Sequence, residues 1–539
     1  MPKWWQERAV YQIYPRSFAD TNGDGIGDIP GVIAHLDELA DLGIGIVWLC
    51  PVYRSPDADN GYDISDYRDI DPRYGTMADM DRLILEMKRR DIRLVMDLVI
   101  NHTSDEHPWF RESRDKSSPY RDYYIWRPGK NGRPPNNWVS LFGGSCWKYD
   151  GASGEYYMHL FSEKQPDLNY NNPKVLEEIK GIMRFWLDRG ISGFRCDVIN
   201  IIGKSSFENS RRLVIKGKEY YTSQPHMHEI LRELRRDVLS AYDCFTVGEA
   251  VFVTPKMGKK LSDKSRNELD MVFPYEHMET DQYFVKWFKR HFHARHFCNT
   301  ISKWQNALEW NANYLENHDQ PRSVSRFGDD REYWSISAKM LCVLLFTLRG
   351  TPFIYQGQEI GMTDFDFTSM AQIRDVESIT IDGIAKRLHV PKGLRWKIIE
   401  ATSRDNARTP MQWTGTENAG FTTGTPWLGV NHNYSYINMA DQAADPHSVR
   451  NFYKRMIAFR AGDEVLKYGA FKLIRASRHV FIYERTNGGT TYRVMLSFSS
   501  HMRKAPYCDG SVLFSNYGRK KYYGKLFPYE AVILLTTPS

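Results

Sequence analysis

Along residues 9 to 357, short runs of apolar and β-branched residues alternate with longer stretches whose apolar positions recur every three to four residues. The short runs cover 9–18, 44–51, 92–100, 191–199, 244–250, 269–275, 313–319 and 350–357, and predict eight strands. The longer stretches, such as 31–43, 77–91, 173–190 and 228–243, have helical spacing. Pro173 opens one of them, and Gly43 and Gly190 close two, as helix punctuation requires. Alternating β and α elements imply a parallel sheet of the α/β class, and eight such pairs fit a closed (β/α)8 TIM barrel. In that fold the C-terminal strand ends carry the chemistry.

One connection breaks the rhythm. Between Asn101 and Pro173 the chain is rich in Trp, Tyr, Gly, Pro and Asn and offers no crossover helix, which predicts an inserted subdomain leaning over the barrel mouth. After a last amphipathic helix over 447–460 the period changes to two, in 471–476, 479–486, 491–499 and 531–537, with a hairpin turn at 487–489. The expected organisation is a barrel in two parts, 1–103 and 173–463, an insertion at 104–172, and a C-terminal antiparallel β-sandwich at 464–539.

Composition narrows the function classes. The chain is 42% hydrophobic and 26% charged, as soluble globular proteins are. Its net charge of +6 is spread over 72 basic and 66 acidic residues with no basic block, which argues against nucleic-acid binding. With 15 Trp and 32 Tyr it has rings to spare for sugar platforms, although most such rings serve a core. Seven scattered cysteines without CxxC spacing read as reduced thiols. The start MPKWWQERAVYQIY is unlike a secretory signal, and the apolar stretch at 340–346 is too short to span a bilayer. A cytoplasmic protein is expected, monomeric, without a membrane or an organic cofactor.

Three carboxylates end three of the strand runs: Asp197, Glu249 and Asp319. Glycosidic-bond chemistry needs two carboxyl groups flanking an oxocarbenium-like transition state. Arg195 shares a strand face with Asp197 and favours its ionised form, which suits a nucleophile; a structural ion pair is the alternative. Glu249 follows the apolar TVG, where desolvation would keep it protonated as a general acid; a solvated strand end is the alternative. Asp319 lies in ENHD, and His102 follows Asp97; these groups can bind sugar hydroxyls, or the histidines can be structural. His291, His293 and His296 lack acidic or Cys companions and read as a surface segment. The loop DTNGDGIGD sets Asp20, Asn22, Asp24, Ile26 (through its carbonyl) and Asp28 at EF-hand-like spacing, but Gly31 stands where an EF-hand has Glu. A structural Ca2+ or Mg2+ site is expected, with a metal-free turn as the alternative.

Taken together, DLVINH (97–102), GFRCDVIN (193–200), VGEA (247–250) and ENHDQPR (316–322) resemble the four signature regions of the α-amylase superfamily, glycoside hydrolase family 13. YQIYPRSFADTNGDGIGD, NGYDISDY, QPDLNY and NARTPMQW extend the likeness over nearly the whole chain, which within the family is most similar to oligo-1,6-glucosidases and dextran glucosidases. The resemblance implies a retaining α-glucosidase acting on small oligosaccharides, with Asp197 as nucleophile, Glu249 as acid/base and Asp319 as transition-state stabiliser. It implies that Asp59, Tyr62, His102, Arg195, His318 and Arg408 hold the terminal glucose, that an Asp59–Arg408 pair blocks the far end of the pocket and enforces exo-action, and that Phe142, Phe161 and Gln165 line the pocket. It also implies Ca2+ in the loop at 20–28. Val198, after the nucleophile, goes in the family with α-1,6 cleavage, where Ala or Thr goes with α-1,4. A methyl-sized difference is worth about 1–3 kcal/mol, a preference rather than a wall. Two rivals share the scaffold. One is a sucrose isomerase or other transglucosylase, against which SVSRFGDD (323–330) stands in place of an RLDRD-type loop. The other is a non-catalytic transporter-associated chain, which would need a membrane anchor.

Overall fold

The computed structural model describes residues 2–536. Its eight-stranded parallel sheet consists of β1 (Val10–Ile13), β2 (Ile46–Leu49), β3 (Arg93–Leu98), β4 (Gly193–Cys196), β5 (Phe245–Ala250), β6 (Met271–Pro274), β7 (Ala312–Asn313) and β8 (Thr351–Tyr355). The spatial order β6-β5-β4-β3-β2-β1-β8-β7 is the chain order bent into a ring, with β1 joined to β8. Side chains meet at the seam between β6 and β7: Tyr314 donates to the Pro274 carbonyl at 2.9 Å, and its ring meets Phe273 edge-on at 5.2 Å. Every residue of β1, β2, β4 and β5 is buried, including the polar Gln12, Arg195, Thr246 and Glu249, so burial does not alternate along these strands.

The helices follow the expected punctuation. Met77–Arg89 is capped by Thr76, whose side chain accepts from Asp79 N, and it buries Met80, Leu83 and Met87 on one stripe. Pro173–Asp188 begins at an Asn172 cap with Pro in its first turn. The first helical run departs from expectation. It is two short helices, Ile29–Ala34 and Leu36–Leu42, broken at His35. Asp28 caps the first through Gly31 N, and Gly43 ends the second at a φ of 93°.

The segment between β3 and Pro173 carries a three-stranded antiparallel sheet with Glu155–Met158 at its centre, flanked by Trp126–Arg127 and Trp147–Asp150. Its small core of Ile125, Trp138, Trp147 and Leu160 also takes in Val198 and Ile201 from beyond β4. The insertion is thereby welded to the strand end that carries Asp197.

The C-terminal strands β9 (Ala470–Ala476), β10 (Val480–Asn487), β11 (Thr490–Ser497), β12 (Ser511–Ser515) and β13 (Ala531–Thr536) form an antiparallel sheet of order β9-β10-β11-β13-β12. Period-two alternation sends Phe481, Tyr483, Val494, Leu496 and Ile533 into the barrel core, and Val480, Ile482, Met495, Val532 and Leu534 to the opposite face. Among the described residues that second face packs against Ala505, Tyr522 and Leu526, in and beside a two-stranded ribbon of Arg503–Lys504 with Lys525–Leu526. The expected sandwich is therefore one full sheet with a narrow second layer, because barrel helices cover the other side. Strand β12 escaped the sequence reading because none of its residues is fully buried. Thr537, the end of the last expected strand, lies outside the described residues.

Two further pieces stand over the mouth. A hairpin, Gln282–Tyr283 with Val285–Lys289, follows β6, and the helices Val376–Arg387 and Lys392–Thr402 follow β8. They meet in a cluster of Phe365, Phe367, Ile373, Ile399 and Leu428, with Trp287 and Trp396 packed against it. Among the described residues no helix is long and apolar enough to cross a membrane, and all seven cysteines are free thiols.

Candidate active site

Strand register assembles the first cluster. Asp97 on β3 pairs with Arg195 on β4, which pairs with Val247 on β5, so two residues further along Asp197 and Glu249 come level. Arg195, 2% exposed, joins them. Its Nη1 donates to Asp97 Oδ1 and Asp197 Oδ1, each at 2.6 Å, and its Nη2 to Glu249 Oε2 at 2.5 Å. Glu249 also accepts from the Val198 N–H at 3.1 Å and from the Tyr275 hydroxyl. Val198 reaches that position in the left-handed region, with a φ of 35°, a strained state for a β-branched residue that the surrounding core holds in place.

The carboxyls of Asp197 and Glu249 are held side by side, one on each terminal nitrogen of the Arg195 guanidinium. Seating of that kind belongs to the close spacing of retaining glycosidases, roughly 5 Å, and not to the wide gap that admits a water in inverting ones. Burial raises the Asp197 carboxyl well above its ordinary value, and Glu249 and Asp97 push it further, against the pull of Arg195. One guanidinium serves three carboxyls, and burial also lifts Asp97, to about 6. The sequence argument had a bare Asp197 facing a protonated Glu249. The upward shift falls on Asp197.

Asp319 stands on the opposite side with a different electrostatic character. Burial would raise it, but His318, Arg404, Arg408 and Lys286 outweigh that and hold its carboxyl far below the ordinary range. His318 is itself driven down to about 3 by burial, so it is neutral, and the compensating charge comes from the guanidinium and ammonium groups. Arg408 Nη2 donates to Asp319 Oδ1 at 2.6 Å and its Nε to the His318 carbonyl at 2.9 Å. The Gln12 amide donates to His318 Nδ1 at 2.7 Å, which leaves Nε2–H for the Tyr62 hydroxyl at 2.8 Å. Tyr62 also stacks on that imidazole at 5.3 Å. His102, which burial lowers to about 4, donates from Nε2 to the Tyr62 carbonyl at 3.1 Å.

The expected Asp59–Arg408 pair is not the one formed. Arg404 Nη2 reaches Asp59 at 3.0 Å and its Nη1 reaches Asp319 at 3.4 Å, while Asp375 anchors its Nε at 2.7 Å. Arg404 precedes the short helix Asp405–Arg408, so one helical turn sets both guanidinium groups on one side and the earlier one meets Asp59. Gln165 Nε2 completes that end with a bond to Asp59 at 3.2 Å.

A pocket of about 220 Å³ is bounded by Asp197, Glu249 and Asp319 together with Asp59, Tyr62, His102, Phe142, Phe161, Gln165 and Val198. Arg195, His318 and Arg408 lie just behind that lining and act through the carboxylates they touch. Six lining residues were not singled out from the sequence: Val251, Tyr275, Lys286, Gln320, Glu377 and Arg404. Tyr275 ends the sixth apolar run and was within reach of the strand-end rule. Lys286 and Glu377, ion-paired to each other, sit on elements that carried no periodic signal.

The loop at 20–28 is a chain of Asx turns. Asp20 accepts from Asn22 N, Gly23 N and Gly25 N at 3.0, 2.9 and 2.8 Å, Asn22 from Asp24 N and Asp24 from Ile26 N at 2.8 Å each, and Asp28 from Thr21 N at 3.0 Å. These turns gather hard oxygen donors of the kind Ca2+ takes. No group of three or more His, Cys, Asp or Glu side chains with metal-holding geometry occurs among the described residues, so the carboxylates alone do not form a cage. The amide oxygen of Asn22 and the carbonyl of Ile26 are needed to complete the donor set.

The family described as alpha amylase, catalytic domain, matches residues 12–469. An oligo-1,6-glucosidase of Parageobacillus thermoglucosidasius is 53% identical over 92% of this chain and 90% of its own. The crystal structure of isomaltulose synthase from Klebsiella sp. LX3 superposes with a TM-score of 0.97 at 42% identity, covering 99% of each chain. Trehalose-6-phosphate hydrolase of Bacillus licheniformis superposes with a TM-score of 0.96 at 41% identity over the full length of both.

Proposed function

The chain belongs to the alpha-amylase family, and from that premise we propose that it is a retaining, exo-acting α-glucosidase that hydrolyses α-1,6 bonds at the non-reducing ends of isomaltose and its oligomers. The observation that carries this reading is the seating of Asp197 and Glu249 on one guanidinium, that of Arg195, beside a blind wall of Asp59, Arg404 and Asp319. A glucosyl ring seated against that wall presents its anomeric carbon to the carboxyl pair, and the rest of the substrate must leave by the mouth.

Glu249 protonates the glycosidic oxygen while Asp197 attacks the anomeric carbon, forming a covalent glucosyl–enzyme. Glu249, now a base, takes a proton from water, which displaces Asp197 and releases α-glucose. This mechanism requires a proton on Glu249 when the substrate is in place, with Arg195 holding Asp197 as the anion. Asp319, kept ionised by Arg404 and Arg408, accepts hydrogen bonds from ring hydroxyls that tighten as the ring distorts. Val198 narrows the leaving-group side beside Glu249 and supplies the preference for α-1,6 over α-1,4 bonds.

A Ca2+ ion, with Mg2+ as a possible substitute, would be held by Asp20, Asn22, Asp24, the Ile26 carbonyl and Asp28, and would supply structural support only. The enzyme would work as a monomer in the cytoplasm on imported oligosaccharides, with no organic cofactor. Sucrose isomerisation is the second reading, supported by the close superposition on isomaltulose synthase.

A time course on isomaltose, maltose, trehalose and sucrose, followed by proton NMR, tests both. Rapid release of α-glucose from isomaltose and slow attack on maltose are expected. Conversion of sucrose to another disaccharide would make the protein an isomerase. Inactivity on all four would sink the enzymatic reading.

A further inference from the structure

The hairpin after β6 exposes more aromatic surface than its position explains. Phe288 is 61% exposed, Tyr283 53% and Phe284, at the tip, 88%. Phe284 also has a φ of 54°, a costly state for an aromatic residue. The strand Val285–Lys289 is nonetheless well fixed from one side. Trp287 packs on the cluster beneath the two mouth helices, and Lys289 donates to Asp281 at 3.0 Å. Lys286 lines the catalytic pocket, pairs with Glu377 and sets its ammonium over the Trp287 ring at 4.8 Å. Phe288 stands two residues along the strand from Lys286, roughly 7 Å and close to the repeat of one hexose unit.

We propose that Phe288, extended by Phe284, is a stacking platform for the leaving portion of an oligosaccharide, receiving glucosyl units beyond the one next to the scissile bond. The proposal rests on the glucosidase reading and extends it to chain length. Because the wall at Asp59 and Arg404 blocks the inner end, every additional sugar must pass outward over the mouth, and this hairpin forms part of that rim. A sugar ring offers an apolar face of C–H groups that suits an aromatic plane, and its rim hydroxyls stay in water. Such a platform acts without hydrogen bonds and tolerates different linkages. Exposed aromatic rings on a hairpin that reaches a catalytic pocket through Lys286 then have an occupant of defined chemistry, a neutral gluco-oligosaccharide.

The experiment compares kcat/KM for isomaltose with that for isomaltotetraose, and for maltose with that for maltotetraose, in the unmodified protein, Phe288→Ala and Phe288→Trp. For Phe288→Ala, the disaccharide values are expected within about twofold of the unmodified protein and the tetrasaccharide values lower by about three- to tenfold, with Phe288→Trp restoring them. An equal loss on both lengths, or an unchanged ratio, overturns the platform. If the unmodified protein cleaves only the maltose series, the linkage reading fails and the platform is judged on that pair. Cleavage of neither series overturns both.

Discussion

Tyr275 shows what one hydroxyl contributes at the centre. It donates to Glu249 Oε1, opposite the oxygen that Arg195 and Val198 occupy, and so fixes the carboxyl plane that must face the glycosidic oxygen. Tyr275→Phe keeps the ring and removes that bond. A hydrogen bond to a charged group is worth about 1.5–3 kcal/mol, so kcat/KM on isomaltose is expected to fall about ten- to a hundredfold with little change in melting temperature. Steady-state kinetics beside a thermal melt checks this. Asp197 and Glu249 were legible because a strand end fixes where a side chain points, whereas Asp319 stands in a turn beyond β7. The upward shift of Asp197 was not legible, because it depends on how three carboxyls divide one buried guanidinium. Glu359 is a second case of burial deciding charge. It is fully buried, accepts from the Tyr11 hydroxyl at 2.7 Å, has no partner for its other oxygen, and is raised by desolvation to about 7. The folded protein keeps its proton between about 4.3 and 7 while the unfolded chain releases it, so this group's contribution to stability is lost as pH rises through that window. Glu359→Gln removes the titration. It is expected to leave stability near that of the parent at pH 5 and to gain about 1–3 kcal/mol at pH 8, read by denaturant melts at both.

Among the elements, the strands and their crossover helices follow directly from sequence period, whereas the structures over the mouth do not. The helices Val376–Arg387 and Lys392–Thr402 leave Ile379 49% and Leu394 53% exposed, so no apolar stripe separates from a polar one. Their order comes from tertiary contacts, chiefly the aromatic cluster beneath them and the arginines that follow. Arg404 is the link. It is buried, and it touches Asp375 at the start of the first helix, Asp59 at the rim of the insertion and Asp319 in the pocket. The same ambiguity explains the mistaken partner of Asp59, because two arginines one turn apart are equivalent to a sequence argument. Removing one partner of a buried charge network costs about 3–5 kcal/mol, so Arg404→Met is expected to lower the melting temperature by several degrees. The same substitution unseats the blind wall and raises KM for isomaltose. Unchanged KM in a folded variant would show that Arg404 has no share in closing the pocket.

Across the whole molecule, distant parts of the chain close on each other at the loop over 20–28. Asp20 N–H donates to the Phe421 carbonyl at 2.9 Å, the Thr422 hydroxyl donates to the Asp20 carboxylate, and Trp427 N–H donates to the Gly25 carbonyl at 3.0 Å. A side chain at Gly25 would come within 1.9 Å of the Thr425 carbonyl, so the two segments touch backbone to backbone. Trp427 leads back to the site, since its indole donates to Ser17, whose hydroxyl donates to the Arg408 carbonyl at 2.6 Å. A cation in the loop would therefore clamp the 421–427 segment to the start of the barrel and stiffen the stretch that carries Arg404 and Arg408. The oxygen donors suit Ca2+, with its longer bonds and tolerant geometry, better than Mg2+, which demands a near-octahedral shell. At a hundredfold excess over its dissociation constant a bound ion adds about 2.7 kcal/mol to stability. Treatment with a chelator is expected to lower the melting temperature by a few degrees and to raise KM more than it lowers kcat, because the catalytic carboxyls on β4 and β5 do not depend on this clamp. Added Ca2+ should restore both values and Mg2+ only in part. A melting curve and KM that ignore chelator would return the loop to a metal-free turn held by its own Asx bonds.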